Sequence, residues 1–340
     1  MIERHKLTFR VQGLVNGLAP ELNRILAEAY EQAEAKVLKL MAQDTPSKVK
    51  QARILQGLQK QLQRIMDPAY QEVGQEIQGG AQDLAQATPK ITGKIYTDAL
   101  QQFDSSVLPL AIPKITKKEF LRMWESFEID GTFFNQWLEK LSGGSVARIK
   151  KELIQGQALN ENLKQIAKRM ETSLGASKNG AYGLAQNAYF QAWNFAEQET
   201  FRENEERLKG YQHVSELDAK CCPTCQQLDG KVYPKGEEIV PPIHWRCRCM
   251  LRPVFKQKGM NVIYQDQTRI VRIEKGKELD VKFVSGKLTY TDILKSDKAF
   301  AVEALGQKRA DLLFSGKLSV DKLYYQSKLR SIKELERYYK

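Results

Sequence analysis

The sequence predicts a mainly α protein: a long-helix N-terminal region, a small α+β zinc-knuckle module with short strands, and a helical C-terminus. Three observations carry this. Apolar residues recur at three- and four-residue steps over the first 200 positions, that periodicity stops after Leu208, and all five cysteines fall between Cys221 and Cys249. With 42% hydrophobic and 28% charged residues, the 340-residue chain can bury a sizeable core and is not disordered by composition. Eleven Pro and 22 Gly exclude collagen-like and Pro/Gly-rich architectures. No apolar run reaches the roughly 18 residues a membrane helix needs, and the N-terminus lacks a signal-peptide core. The expectation is a soluble protein with no membrane partner.

Four segments are expected: a helical region over 1–115, a helical bundle over 116–212, a knuckle module over 213–255 and a basic region over 256–340. Leu22, Ile25, Leu26, Ala29, Ala33 and Val37 form one face of a first helix, and Leu55, Leu58, Leu62 and Ile65 one face of a second, which Pro68 is expected to interrupt. The Gln-rich run 51–86 decorates the wet side of these helices. Residues 88–118, with three prolines, predict a connector. Helix resumes over Lys118–Leu141, breaks at Ser142-Gly143-Gly144-Ser145, and continues to Gly156. Asn160 is expected to cap a short helix through Met170, and a long helix runs from Ala181 to about Leu208. Short alternating runs at 262–264, 270–273 and 281–284 predict strands, followed by helices over Tyr290–Leu294, Ala299–Phe314 and Val320–Tyr339.

The chemistry is concentrated in one stretch. Cys222 and Cys225 have the spacing with which a tight knuckle presents two sulfurs to one ion, and eighteen residues later come His244, Cys247 and Cys249. A thiolate-rich set with one imidazole suits structural Zn²⁺. Cys221 is the expected spare, because adjacent side chains point apart; the spacing does not decide between Cys247 and Cys249, and both can ligate. Disulfides fit poorly with an odd count and no export signal. A redox C-x-x-C would open a helix in a βαβ unit, of which there is no sign. Asp218 and Asp229 flank the knuckle in supporting or turn roles. Of the two other histidines, His5 is remote and His213 is expected to be an ordinary surface residue.

The formal net charge is +12, and residues 251–340 hold 20 basic against 11 acidic side chains. That excess suits a polyanionic partner such as double-stranded DNA, with Lys256, Lys258, Arg269, Arg272, Lys308 and Arg309 as candidate contacts. A zinc-dependent nucleic-acid-binding or processing protein is the alternative reading, but a nuclease would show the His and carboxylate clusters that hydroxide generation needs.

At the cysteines the sequence resembles a known family. The string Asp218…Cys222-Pro223-x-Cys225-x-x-Leu228-Asp229-Gly230-Lys231-Val232-Tyr233…Pro241-Pro242-x-His244-x-x-Cys247-Arg248-Cys249…Pro253 is similar to the signature of phage head morphogenesis proteins, the minor head proteins like the F protein of phage Mu and its counterpart in phage SPP1. The resemblance covers about residues 145–325, including the turn at Gln155-Gly156-Gln157 and the stretch Leu305–Ser319. Two departures stand out: Gln186-Asn187 where members often carry Arg-Thr, and Trp245-Arg246 where they often carry Pro-Asn. The resemblance implies a structural protein inside a tailed-phage or prophage head, made in the host cytoplasm, with portal, capsid or scaffold proteins as partners and a part in assembly and DNA packaging or ejection. Some relatives carry an appended catalytic domain; only about 90 residues follow the cysteines here, so no enzyme is expected.

Overall fold

The computed structural model of the chain describes residues 3–41, 48–102, 104–159, 161–256, 268–275, 278–326 and 328–339. Asn160, Lys258 and the expected strand at 262–264 lie outside them.

Four long helices form the bulk of the molecule: α1 (Glu3–Met41), α2 (Lys48–Gln101), α4 (Phe134–Ala158) and α5 (Leu163–Arg202). α5 packs against the other three, and α2 against both α1 and α4. Their shared core runs from Val11 to Ala196 and centres on Leu26, Tyr70, Phe190 and Trp193.

Two expected breaks do not occur. α2 passes through Pro68 and Pro89. A helix-interior proline costs about 3 kcal/mol, whereas each fully buried large apolar side chain returns about 1.5–3 kcal/mol. Leu62, Met66, Tyr70, Val73 and Ile77 are all buried along one face across Pro68, so burial wins. α4 likewise runs through Gly143-Gly144, each costing about 1 kcal/mol in helix propensity. Ser142 and Ser145 point inward: Ser142 donates to Asp67 at 2.6 Å, and the Ser145 hydroxyl meets those of Tyr70 and Ser177 at 2.9 and 2.7 Å. The actual break lies earlier. α3 (Lys117–Ser126) ends before a hairpin, β1 (Glu128–Ile129) and β2 (Thr132–Phe133), turned by Asp130 and Gly131 at φ +50° and +67°. This is the Asp-Gly turn that a two-residue hairpin favours, and Gly131 is the residue that adopts it without strain.

α5 is one helix where two were expected; Asn162 caps it in a reciprocal pair with Gln165. Its end leads through a single 3₁₀ turn to β3 (Leu208–Val214), which is the central strand of a small antiparallel sheet between β4 (Val232–Pro234) and β5 (Met250–Phe255). Between β3 and β4 lies a six-residue helix, α6 (Pro223–Leu228). A two-stranded hairpin, β6 (Thr268–Lys275) with β7 (Glu278–Ser285), realises two of the expected strands. Then come α7 (Tyr290–Ser296), α8 (Lys298–Leu305) and α9 (Gln307–Phe314), the last two separated at Gly306 rather than continuous. The expected last helix is instead a 3₁₀ turn, a short hairpin of β8 (Tyr324–Tyr325) with β9 (Lys328–Leu329), and α10 (Ile332–Tyr339). These C-terminal elements share a core with Cys221, Cys225, Cys247 and Cys249. No helix among the described residues is long and apolar enough to cross a membrane.

Candidate metal centre

The loop 215–222 leaves β3 and brings Cys222 to the N-cap of α6, where Pro223 occupies the first helical position. The Cys225 backbone N–H donates to Cys222 Sγ at 3.4 Å, so the first turn of α6 holds both sulfurs on one side. From β4 the chain returns through a long loop, and His244, Cys247 and Cys249 arrive just before β5 pairs with β3.

The five residues converge. His244 Nε2 lies 3.1 Å from Cys222 Sγ and 3.1 Å from Cys225 Sγ. Its Nδ1 is 2.8 Å from the Trp245 carbonyl. A carbonyl only accepts, so Nδ1 carries the proton and Nε2 is the nitrogen that the neutral ring offers to an ion. The ligand atoms of Cys222, Cys225 and His244 all lie within 4.8 Å of one another. Cys247 belongs to no such triad, yet its thiol interacts with Cys225, Cys249 and His244. Cys249 is farther in, its thiol donating to Ser215 Oγ at 3.4 Å. All five cysteines are free thiols.

Charge follows this crowding. Contact with Cys225, aided by His244, pulls the Cys222 thiol down to about 4, and contact with Cys225 and Cys249 also lowers Cys247. Cys222, Cys247 and Cys249 together hold Cys225 in its protonated form. Cys222 first, and then Cys247, raise His244 to about 11. Without an ion, then, the cluster keeps negative sulfur beside a cationic imidazole; a soft divalent ion replaces that proton and binds the sulfurs it leaves. The donor set fits such an ion.

The bundle grips the His244 loop. Asn187, on α5 and fully buried, donates through Nδ2 to the His244 carbonyl at 3.0 Å and accepts the Arg246 N–H at 2.6 Å. Arg246 sits at φ +61° and its guanidinium donates to the Asn179 carbonyl and Oδ1. The Trp245 ring lies 4.4 Å, centroid to centroid, from Trp137 of α4, and the Trp245 backbone N–H donates to the Asp130 carboxylate in the β1–β2 turn. Gly183 makes this approach possible: a Cβ there would stand 2.8 Å from Trp245 and 2.9 Å from Arg246. The two departures from the family pattern are therefore partners in space.

Asp218 forms a bidentate pair with Arg248 at 2.6 and 2.8 Å and accepts the Lys220 N–H. Asp229 receives two guanidinium bonds from Arg269 and the backbone N–H groups of Ser215 and Tyr290. Neither touches a liganding sulfur; both brace the loops that carry them.

His213 corrects the sequence reading. It is fully buried, on the inner face of β3, and its ring lies with Cys225 and Cys249 in a second triad of ligand atoms within 4.8 Å. The signal was the two-residue alternation Tyr211, His213, Ser215, all buried. Burial lowers its pKa.

The candidate nucleic-acid residues are scattered. Lys256 and Lys308 are exposed. Arg269 is buried in its pair with Asp229, Arg272 pairs with Glu216 at 2.9 Å, and Arg309 donates to the carbonyls of Arg330 and Leu305.

Residues 147–252 match the family model of phage Mu protein F-like proteins. The match spans about a third of the chain and takes in the C-terminal part of α4, all of α5 and every cysteine of the cluster. It supports the resemblance to phage minor head proteins that the cysteine motif carries. Within this Mu F-like segment, Asn187 and the His244 loop belong to one matched unit. No curated protein matches the chain, and no solved structure matches it.

Proposed function

We propose that the chain is a structural minor head protein of a tailed phage or prophage, lying inside the head near the portal, touching portal and capsid or scaffold proteins and supporting assembly and DNA packaging or ejection. The observation that carries this reading is the family match over 147–252, which unites the bundle and the cysteine cluster in one segment.

In this reading the cluster holds Zn²⁺ through Cys222, Cys225, His244 and Cys247. The ion, when bound, cross-links two loops that have little core of their own. Cys222 and Cys225 supply thiolates from the start of α6, His244 offers Nε2 while Nδ1 stays on the Trp245 carbonyl, and Asn187 keeps the loop in register. Four such donors close a tetrahedral shell, so the role is structural and no catalysis is assigned. Packaged double-stranded DNA is met by exposed lysines such as Lys256 and Lys308, not by the buried Arg269.

The test is to search purified procapsids and virions for the chain by mass spectrometry, with metal analysis of the purified protein. The expected result is the chain in the particles at low copy, with bound zinc in the pure protein. A chain found in the infected lysate but absent from both particles overturns the placement.

A further inference from the structure

We propose that the cluster accepts a second divalent ion, bound by His213 and Cys249 and joined to the first through a bridging Cys225 thiolate. This rests on the reading of the outer residues as a metal centre and extends it inward.

Six donors meet at this place: Cys222, Cys225, Cys247, Cys249, His213 and His244. A four-coordinate ion uses four of them. The remainder is not scattered. His213, Cys225 and Cys249 form a triad as compact as that of Cys222, Cys225 and His244, and the two triads share Cys225. Cys247 interacts with Cys225, Cys249 and His244, which places it to complete both shells.

The independent observation is His213 itself. Its side chain is fully buried, and neither ring nitrogen has a hydrogen-bond partner of ordinary geometry, the Ile239 backbone offering only a weak contact. A buried polar group left unsatisfied destabilises the fold. The structure places the soft ligands Cys225 and Cys249 beside the His213 ring, and an ion on one ring nitrogen satisfies it. Charge points the same way. Four thiolates and two neutral imidazoles balance two divalent ions, whereas one ion with all four thiolates leaves two negative charges in a site where Cys225, Cys247 and Cys249 are at most 3% exposed. Each thiol that ligates gives its proton to solvent.

The experiment uses the full chain, stripped with chelator under reducing, oxygen-free conditions and titrated with Co²⁺ alone. Native mass spectrometry counts the ions, and sulfur-to-cobalt absorption follows the ligands. Two Co²⁺ per wild-type chain are expected, falling to one in His213→Leu and in Cys249→Ser. A single Co²⁺ in the wild type overturns the second ion and leaves the outer centre standing; none overturns the outer centre as well. Two ions retained by both variants overturn the assignment to His213 and Cys249. Should His213→Leu fail to fold, the wild-type count and Cys249→Ser still decide.

Discussion

Asn187 accepts the backbone N–H of Arg246 at 2.6 Å, and the same amide donates to the carbonyl two residues earlier. A buried side chain of the bundle thus sets the conformation of the loop that carries His244, without touching a sulfur. Asn187→Ala strands a donor and an acceptor and is expected to cost about 1–3 kcal/mol of stability. It should also weaken metal binding by about 10–100-fold, as loss of a ligand-orienting contact does. Competition against a zinc chelator checks this; equal retention of metal by variant and wild type would show that the loop holds its shape unaided.

Gly183 and Trp245 should behave as a coupled pair. Gly183→Ala places a methyl group against the indole and is expected to destabilise by about 1–3 kcal/mol. In a Trp245→Ala background only Arg246 Nε, 2.9 Å away on a flexible side chain, still crowds the methyl group, so the same change should cost less, offset by the roughly 1 kcal/mol by which alanine is the better helix former. Urea unfolding of the four proteins gives the cycle. Additive effects would contradict the contact.

Removing the metal, or one ligand by Cys222→Ser, is expected to loosen residues 215–255 while the α1–α2–α5 core keeps its protection. Hydrogen exchange by mass spectrometry reads both regions at once. Unchanged protection at 215–255 in metal-free protein would dismiss the cross-linking role.

Asp229→Ala leaves the Arg269 guanidinium buried beside no carboxylate. Breaking a buried pair from one side costs about 3–5 kcal/mol, which should lower the melting temperature and detach β6 from the knuckle. A melting curve within a degree of wild type would refute the bracing role.

For Asp218, burial pushes the carboxyl up, but the Arg248 pair more than offsets it and leaves the pKa below its ordinary value. Its contribution is therefore complete above the unfolded value of about 3.9 and is lost as pH falls through the lower folded one. Compared with wild type, Asp218→Asn should show a smaller drop in urea midpoint between pH 7 and pH 3, both measured in metal-free protein. An equal drop would remove Asp218 from the acid response.

The parts of this molecule that were legible beforehand are those where one local pattern decides. The three-and-four spacing of Leu22 to Val37 specifies a helix, and Cys222-x-x-Cys225 followed by His244 specifies a cluster. The misreadings have a common cause. Pro68 and Gly143-Gly144 are helix breakers locally, yet burial of Tyr70, Val73, Val146 and Ile149 on the same faces outweighs them. Asp130-Gly131 was a visible turn signal, hidden by the aromatic residues on either side that read as one helix. His213 was misplaced because strand alternation over a few residues near a turn is a weak pattern, and because nothing along the chain announces that β3 faces the cysteines. Asn187 lies 57 residues from the carbonyl it holds, a distance no spacing rule reaches.

The uninterrupted course of α2 has a mechanical consequence. At 1.5 Å per residue its 54 residues extend about 80 Å. Near one end Leu58 and Leu62 lie in the bundle; near the other, Tyr96 and Leu100 press on Leu251 and Phe255 of β5, directly after Cys249. One helix with no loop along its length thus joins the bundle core at Leu58 to the strand that follows Cys249, so a displacement at one end is carried to the other.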